Sequence, residues 1–195
     1  DPNGLGLGTD GGLRVEPSDL LSDNAGQKLT VTPDDGKLYF GGLPDAVGKV
    51  LQVVRATDIT DRTTTKTSFE DAGISVTITP QRSTSAILII AVAGTDSTWT
   101  VDGENYGRVQ ITDSSNITLI GGQNMNIGLV NSTGTGTRSV FAPLTMWAYA
   151  TPGTTSAVTY KLRFRSNTNN TFTIRNDAPT GQMYAIELAD VVVSP

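Results

Sequence analysis

The chain has 195 residues, a formal net charge of -5, and neither Cys nor His. The missing thiols exclude disulfides, thiolate metal sites and cysteine nucleophiles, and the missing imidazole removes the commonest proton carrier near neutral pH and the commonest zinc ligand. With 14 basic against 19 acidic residues and no apolar run near the roughly eighteen residues of a membrane span, neither nucleic acid nor membrane is expected as a partner.

Asp1 rather than Met opens the chain, as a processed form or an internal start would both give. Residues 4–15 state a pattern that residues 28–40 repeat. Leu5 and Leu7 alternate, an Asp10-Gly11 turn follows, and Leu13 and Val15 alternate again; Leu29, Val31, Asp35-Gly36, Leu38 and Phe40 do the same. Side chains of a strand alternate with a period of two and Asp-Gly suits a tight turn, so each copy predicts a β-hairpin. Between them, Pro17, Ser18 and Gly26 frame one short helical turn with Leu20 and Leu21 on its apolar side. Isolated two-stranded ribbons are marginal in water, so this module is expected to need other chains. Gly41-Gly42-Leu43-Pro44-Asp45 marks a linker, which divides the chain into an N-terminal module, 1–45, and a body, 46–195.

The body reads as strands separated by Gly, Asn, Asp and Pro. Lys49 to Ala56 is the first candidate. Ile74, Val76 and Ile78 alternate with Ser and Thr until Pro80, and Ala86 to Ala93 is apolar on both faces, which predicts a strand covered on both sides. Further candidates are Gly107 to Thr112, Asn116 to Ile120, Val140 to Ala150, Val158 to Arg165, Thr171 to Arg175 and Met183 to Val193. The last run is apolar enough to be tied into a sheet or to lie at a subunit interface. No stretch keeps a helical period. Many short strands at even spacing predict an all-β fold, a jelly-roll-like β-sandwich carrying a small N-terminal module of two β-hairpins.

Few motifs carry chemistry. Gly6-Leu7-Gly8-Thr9-Asp10-Gly11 satisfies a dinucleotide-binding spacing but lacks the preceding buried strand and following helix that the motif requires. The Asp-Gly clusters at Asp10, Asp34-Asp35 and Asp102 lack the alternating ligands and distal Glu of a calcium loop; they read as turns, and no cofactor or metal is expected, although calcium held between separated loops stays open. Asp96, Asp102, Glu104 and Glu187 are the acids available for glycoside chemistry, and nothing in the sequence pairs two of them. Lys161, Arg163, Arg165 and Arg175 form one basic patch on strand faces, read as a solvated surface with a docking site for an acidic partner as the alternative. Among the aromatic residues, mid-strand Trp147 reads as core or interface packing. Trp99 and Tyr106, in a polar loop context, are the candidate ligand surface.

Gly48 to Val54, the Thr-rich residues 63–68, Gly73 to Pro80 and Ser85 to Val92 together resemble a β-sandwich domain of tailed-bacteriophage fibre and other virion proteins. Thr159 to Leu162 and Met183 to Leu188 extend the resemblance, and the duplicated hairpins are similar to attachment modules of phage appendages and capsid decorations. The resemblance implies a homotrimer on the outer surface of the virion, with the major capsid protein or another virion protein as partner. It implies no enzyme. The expected role is a capsid decoration, cement or head-fibre protein, because a long fibre would need a repetitive shaft. Leu5, Leu7, Leu13, Val15, Leu20, Leu21, Leu29, Val31, Leu38 and Phe40 would then form the capsid-docking and trimer interface. The alternative is a tail-fibre or receptor-binding protein touching host saccharide through loops near 99–106 or 121–138; a third reading is a carbohydrate-active enzyme using two acids, with Glu104 and Glu187 the ones whose substitution would test it.

Overall fold

A computed structural model of the protein describes residues 49–100, 103–132, 136–167 and 170–189, together with four short segments ahead of them: 5–7, 13–15, 29–31 and 38–40. These four are strands. β1 (Leu5–Leu7) pairs antiparallel with β2 (Leu13–Val15), and β3 (Leu29–Val31) with β4 (Leu38–Phe40), so both predicted hairpins form. The short helical turn predicted around Leu20 and Leu21 lies outside the described residues. Chain contacts separate a unit Asp1–Asp45 from a unit Ala46–Pro195.

The second unit is a long hairpin rolled up on itself. Its strands are β5 (Val50–Asp58), β6 (Arg62–Thr64), β7 (Glu70–Ile78), β8 (Ala86–Trp99), β9 (Gly103–Asp113), β10 (Met125–Ser132), β11 (Arg138–Ala150), β12 (Val158–Ser166), β13 (Asn170–Arg175) and β14 (Gly181–Leu188). First pairs with last inward along the chain: β5 with β14, β6 with β13, β7 with β12, β8 with β11 and β9 with β10, all antiparallel. Rolling adds β8 to β13 and β14, and β12 to β9. Two sheets result, β10-β9-β12-β7 and a sheet in which β5 and β6, then β14 and β13, then β8, then β11 lie side by side. Successive strands that swap between two facing antiparallel sheets are the jelly roll, as the sequence led us to expect.

Alternation fills the space between the sheets. Ala72, Ile74, Val76 and Ile78 of β7 face Ile87, Ile89 and Ala91 of β8 in one core with Leu162 and Phe164 of β12 and Leu144 and Met146 of β11. β8 keeps its parity beyond the predicted end at Ala93. Thr95, Ser97 and Trp99 continue its buried side, because their polar atoms are satisfied: Thr95 donates to the Ala142 carbonyl at 2.7 Å and Ser97 accepts from Asn170 Nδ2 at 2.8 Å. The predicted strand Asn116 to Ile120 is instead a turn. Asp113 Oδ1 accepts the backbone N–H groups of Ser115 and Ile117, Asn116 takes a left-handed φ of 68°, and only isolated bridges at Thr118 and Ile120 remain.

Two neighbouring strands break at one level, which creases the larger sheet. Arg175 pairs with Gly94 and Gln182 with Val92, so residues 176–181 stand opposite Ala93 alone; beside them the chain turns between β5 and β6 at residues 59–61. Asp61 holds the crease closed. Its carboxylate accepts the N–H groups of Asn176 at 2.7 Å and Asp177 at 3.1 Å and pairs with Arg175 Nε at 3.2 Å. Partial burial pushes the Asp61 carboxyl up, but these donors and the Arg175 charge outweigh it and hold it below the ordinary value. Asp61→Ala is expected to cost about 1 kcal/mol, the value of charge-assisted bonds after discounting for solvent screening. A urea midpoint unchanged by this substitution would show that the crease is held otherwise.

Candidate interaction face

The outer side of the creased sheet is where the described surface departs from an ordinary jelly roll. Cross-strand register sets its residues in rows. Val53, Ile186, Leu88 and Tyr149 form one row, and Arg55, Tyr184, Ile90 and Trp147 the next, with Val92 following on β8. Trp147 is 58% exposed and Val53 56%, while Leu88, Ile90, Val92, Tyr184 and Ile186 are half-buried. The predicted two-sided cover of residues 86–93 is therefore corrected: one side faces the core and the other looks outward. Four strands about 4.8 Å apart and seven residues of about 3.3 Å rise give this apolar half a projected area of about 400 Å². A patch of about that size is comparable to the largest apolar patch of an ordinary monomer, which is often functional.

Past the crease the face changes character. Thr63 and Thr173 share a hydrogen bond of 2.9 Å, and Thr98 and Ser139 one of 2.8 Å. Between the halves lies a groove of about 340 Å³ lined by Gly94, Phe141, Pro143, Arg175, Ala178 and Pro179. The Arg175 guanidinium lies 5.8 Å from the centre of the Phe141 ring, and Phe141 itself is 68% exposed.

The turn after β9 completes the apolar end. Leu119 and Gly122 bond back to Ile111, and Tyr149 donates to the Ile120 carbonyl at 2.8 Å. Gly121 has a φ of 78°, and a Cβ there would come within 2.6 Å of the Trp147 ring. Only glycine lets the indole lie so close. Beside this turn, residues 113–114, 118–120, 149–152 and 157–160 line an open cavity of about 480 Å³. The Tyr160 phenol at its wall is pushed up to about 12, first by burial and then by the Asp113 charge, so it stays protonated at neutral pH.

The opposite sheet is polar outside. Asp71 pairs with Lys161 at 3.1 Å and Arg163 at 3.0 Å, Thr77 and Thr159 are 2.8 Å apart, and Arg108 donates to Asn126 at 2.8 Å. The predicted single basic patch is thus divided. Lys161, Arg163 and Arg165 share β12, with Arg165 over the Phe69 ring, whereas Arg175 sits on the other sheet with Asp61 and Asp177.

Other predicted site residues fall as follows. Trp99 is only 3% exposed, at the inward end of β8, which corrects its assignment as an exposed stacking ring. Tyr106 is half-buried, its ring 5.2 Å from the Arg108 guanidinium. Leu5, Leu7, Leu13 and Val15 lie on β1 and β2, and Leu29, Val31, Leu38 and Phe40 on β3 and β4. Leu20 and Leu21, like Asp102, lie outside the described residues. The described acids do not converge: Glu187 stands beside Ile87, nine residues along β8 from Asp96, which at about 3.3 Å per residue is roughly 30 Å. Among the described residues no three acidic side chains gather where a metal could bind. Phe141, Val53 and Ile120 were not singled out by the sequence, although the aromatic residues of 141–149 all share one strand parity.

No protein-family model matches the chain, and no curated protein matches it. Among solved structures, it is similar to a mutant VP2 protein of infectious bursal disease virus in derived T=1 particles, with 14% identity over 85% of this chain and 41% of that one, at a TM-score of 0.31. Structures of the Gt and Gx strains of the same virus match at 15% and 12% identity, over 93% and 83% of this chain and 47% and 42% of theirs, with TM-scores of 0.30 and 0.29. The chain spans less than half the length of these proteins.

Proposed function

We propose that the protein is a non-enzymatic structural component of a bacteriophage virion, a homotrimeric capsid decoration, cement or head-fibre protein. Its N-terminal hairpin module docks on the major capsid protein or another virion protein, and its jelly-roll body stands on the outer surface. The observation that carries the reading is a body whose one sheet is polar and ion-paired outside while the other offers an apolar face. Such a body is made to be bound. The separate unit ahead of it, with two hairpins too small to be stable alone, supports an attachment role. At about 25 cal/mol per Å² of apolar surface removed from water, a small footprint repeated across three linked copies holds firmly through avidity.

Deleting residues 1–42 is expected to leave a folded body that no longer co-sediments with capsid shells lacking this protein, whereas the full chain does. Retained co-sedimentation would overturn the docking assignment. Adsorption of the purified protein to host cells without any affinity for shells would instead favour a receptor-binding appendage.

A further inference from the structure

We infer that the outer face of the creased sheet is the contact between copies of this chain, with Trp147 and Phe141 as its anchors. The inference rests on the homotrimeric part of the reading above and gives that assembly an interface on the body.

Three observations select a second copy as the occupant. The two apolar rows carry one charged residue, Arg55, in a chain of net charge -5, so they offer a charged partner no field to follow and suit an apolar surface of a neighbouring copy. The area is also right. β11 and β8 run side by side over residues 138–150, and about 43 Å of strand across four strands gives the whole outer face, apolar and hydroxyl-bearing halves together, a footprint of roughly 800 Å² per copy, the share each partner gives to a stable interface.

The third observation separates face from edge. Among the described residues β11 has a ladder only with β8, and its outer edge resists a further strand: Pro143 has no N–H to donate, and the Tyr149 N–H is already given to Ile120. Copies therefore meet through side chains standing on the sheet rather than by extending it. Trp147 stands out from the edge strand at the apolar end of the face, propped by Gly121, and large exposed aromatic residues are the side chains that most often dominate interface energies.

The test is the mass of the full chain in solution, by light scattering and sedimentation, for the natural protein and for Phe141→Ser with Trp147→Ser. The natural protein is expected at a multiple of its 20.5 kDa and the double variant at one chain, with circular dichroism unchanged. Val53→Asp alone, at the far edge of the row next to that of Trp147, is expected to dissociate the assembly as well, and Thr77→Lys on the opposite sheet to leave it intact. A monomeric natural protein, or a face variant with undiminished mass, would overturn the inference. Capsid co-sedimentation reports separately on the virion reading, so either idea can fail while the other stands.

Discussion

Phe172→Ala is expected to lower the unfolding free energy by about 3–5 kcal/mol, the range for truncating a buried aromatic side chain. Phe172 is fully buried on β13, its ring centre 6.3 Å from that of Phe164, and it reaches across the sandwich to β9. There it lies against Gly107, where a Cβ would fall 2.1 Å from the ring. Gly107 is small because Phe172 is large. Gly107→Ala alone is therefore expected to cost about 3 kcal/mol through overpacking. In Gly107→Ala with Phe172→Ala the new methyl enters the space the ring has left, so the pair should cost little more than Phe172→Ala alone. A coupling of about 2–3 kcal/mol in a double-mutant cycle, read from urea unfolding, is the expected result. Strict additivity would mean that the ring does not rest on Gly107.

That packing was only half legible in the sequence. Phe172 belongs to an alternating run, Thr171 to Arg175, and the run forms β13; which residue would lie opposite it depends on how the long hairpin rolls, and this is a property of no local segment. The same division holds elsewhere. Strands with strict alternation, such as those around Ile74 and Tyr160, announced themselves through the period of two. β10 did not, because a bulge between Ile127 and Val130, with Gly128 at a φ of 66°, shifts its phase. β6 did not either, being Arg62, Thr63 and Thr64 without an apolar residue. Trp99 misled for the opposite reason: polar neighbours suggested a loop, yet Thr95 and Ser97 are inward strand residues whose hydroxyls find partners inside.

The apolar outer face was legible as composition and hidden as geometry. Ala86 to Ala93 is apolar at both parities, which says that both sides want cover. The sandwich supplies one cover, from the facing sheet. The second is missing from the described fold, and the aromatic parity of β11, with Phe141, Trp147 and Tyr149 against inward Leu144 and Met146, belongs to the same surface. A sequence reading that assigns every apolar residue to the core leaves no residue for an interface. Here the surplus forms the apolar outer face of the larger sheet.

Glu187→Ala is expected to destabilise the protein by about 3 kcal/mol at neutral pH, the cost of removing a buried carboxylate and stranding its donors. Glu187 is fully buried at the end of β14. It accepts Gln52 Nε2 at 2.6 Å and the backbone N–H groups of Gln81 at 2.7 Å and Arg82 at 3.3 Å. Those backbone groups belong to the loop that carries the chain from β7 in one sheet to β8 in the other, so one carboxylate ties the crossover to β5 and β14. Burial pushes this carboxyl up, and the donated hydrogen bonds outweigh burial and hold it below the ordinary 4.5. The folded state thus binds the proton more weakly than the unfolded chain. Its contribution is complete above about pH 4.5 and drains away as the pH falls through the folded value. Glu187→Gln keeps the shape but turns an NH₂ toward donors, and is expected to cost about 2 kcal/mol at pH 7 and distinctly less near pH 3. Asp61 and Glu70, also held below their ordinary values, titrate in both proteins and cancel in the difference. Urea unfolding at the two pH values measures it; a deficit of equal size at both would mean that the charge on Glu187 is not what holds the crossover.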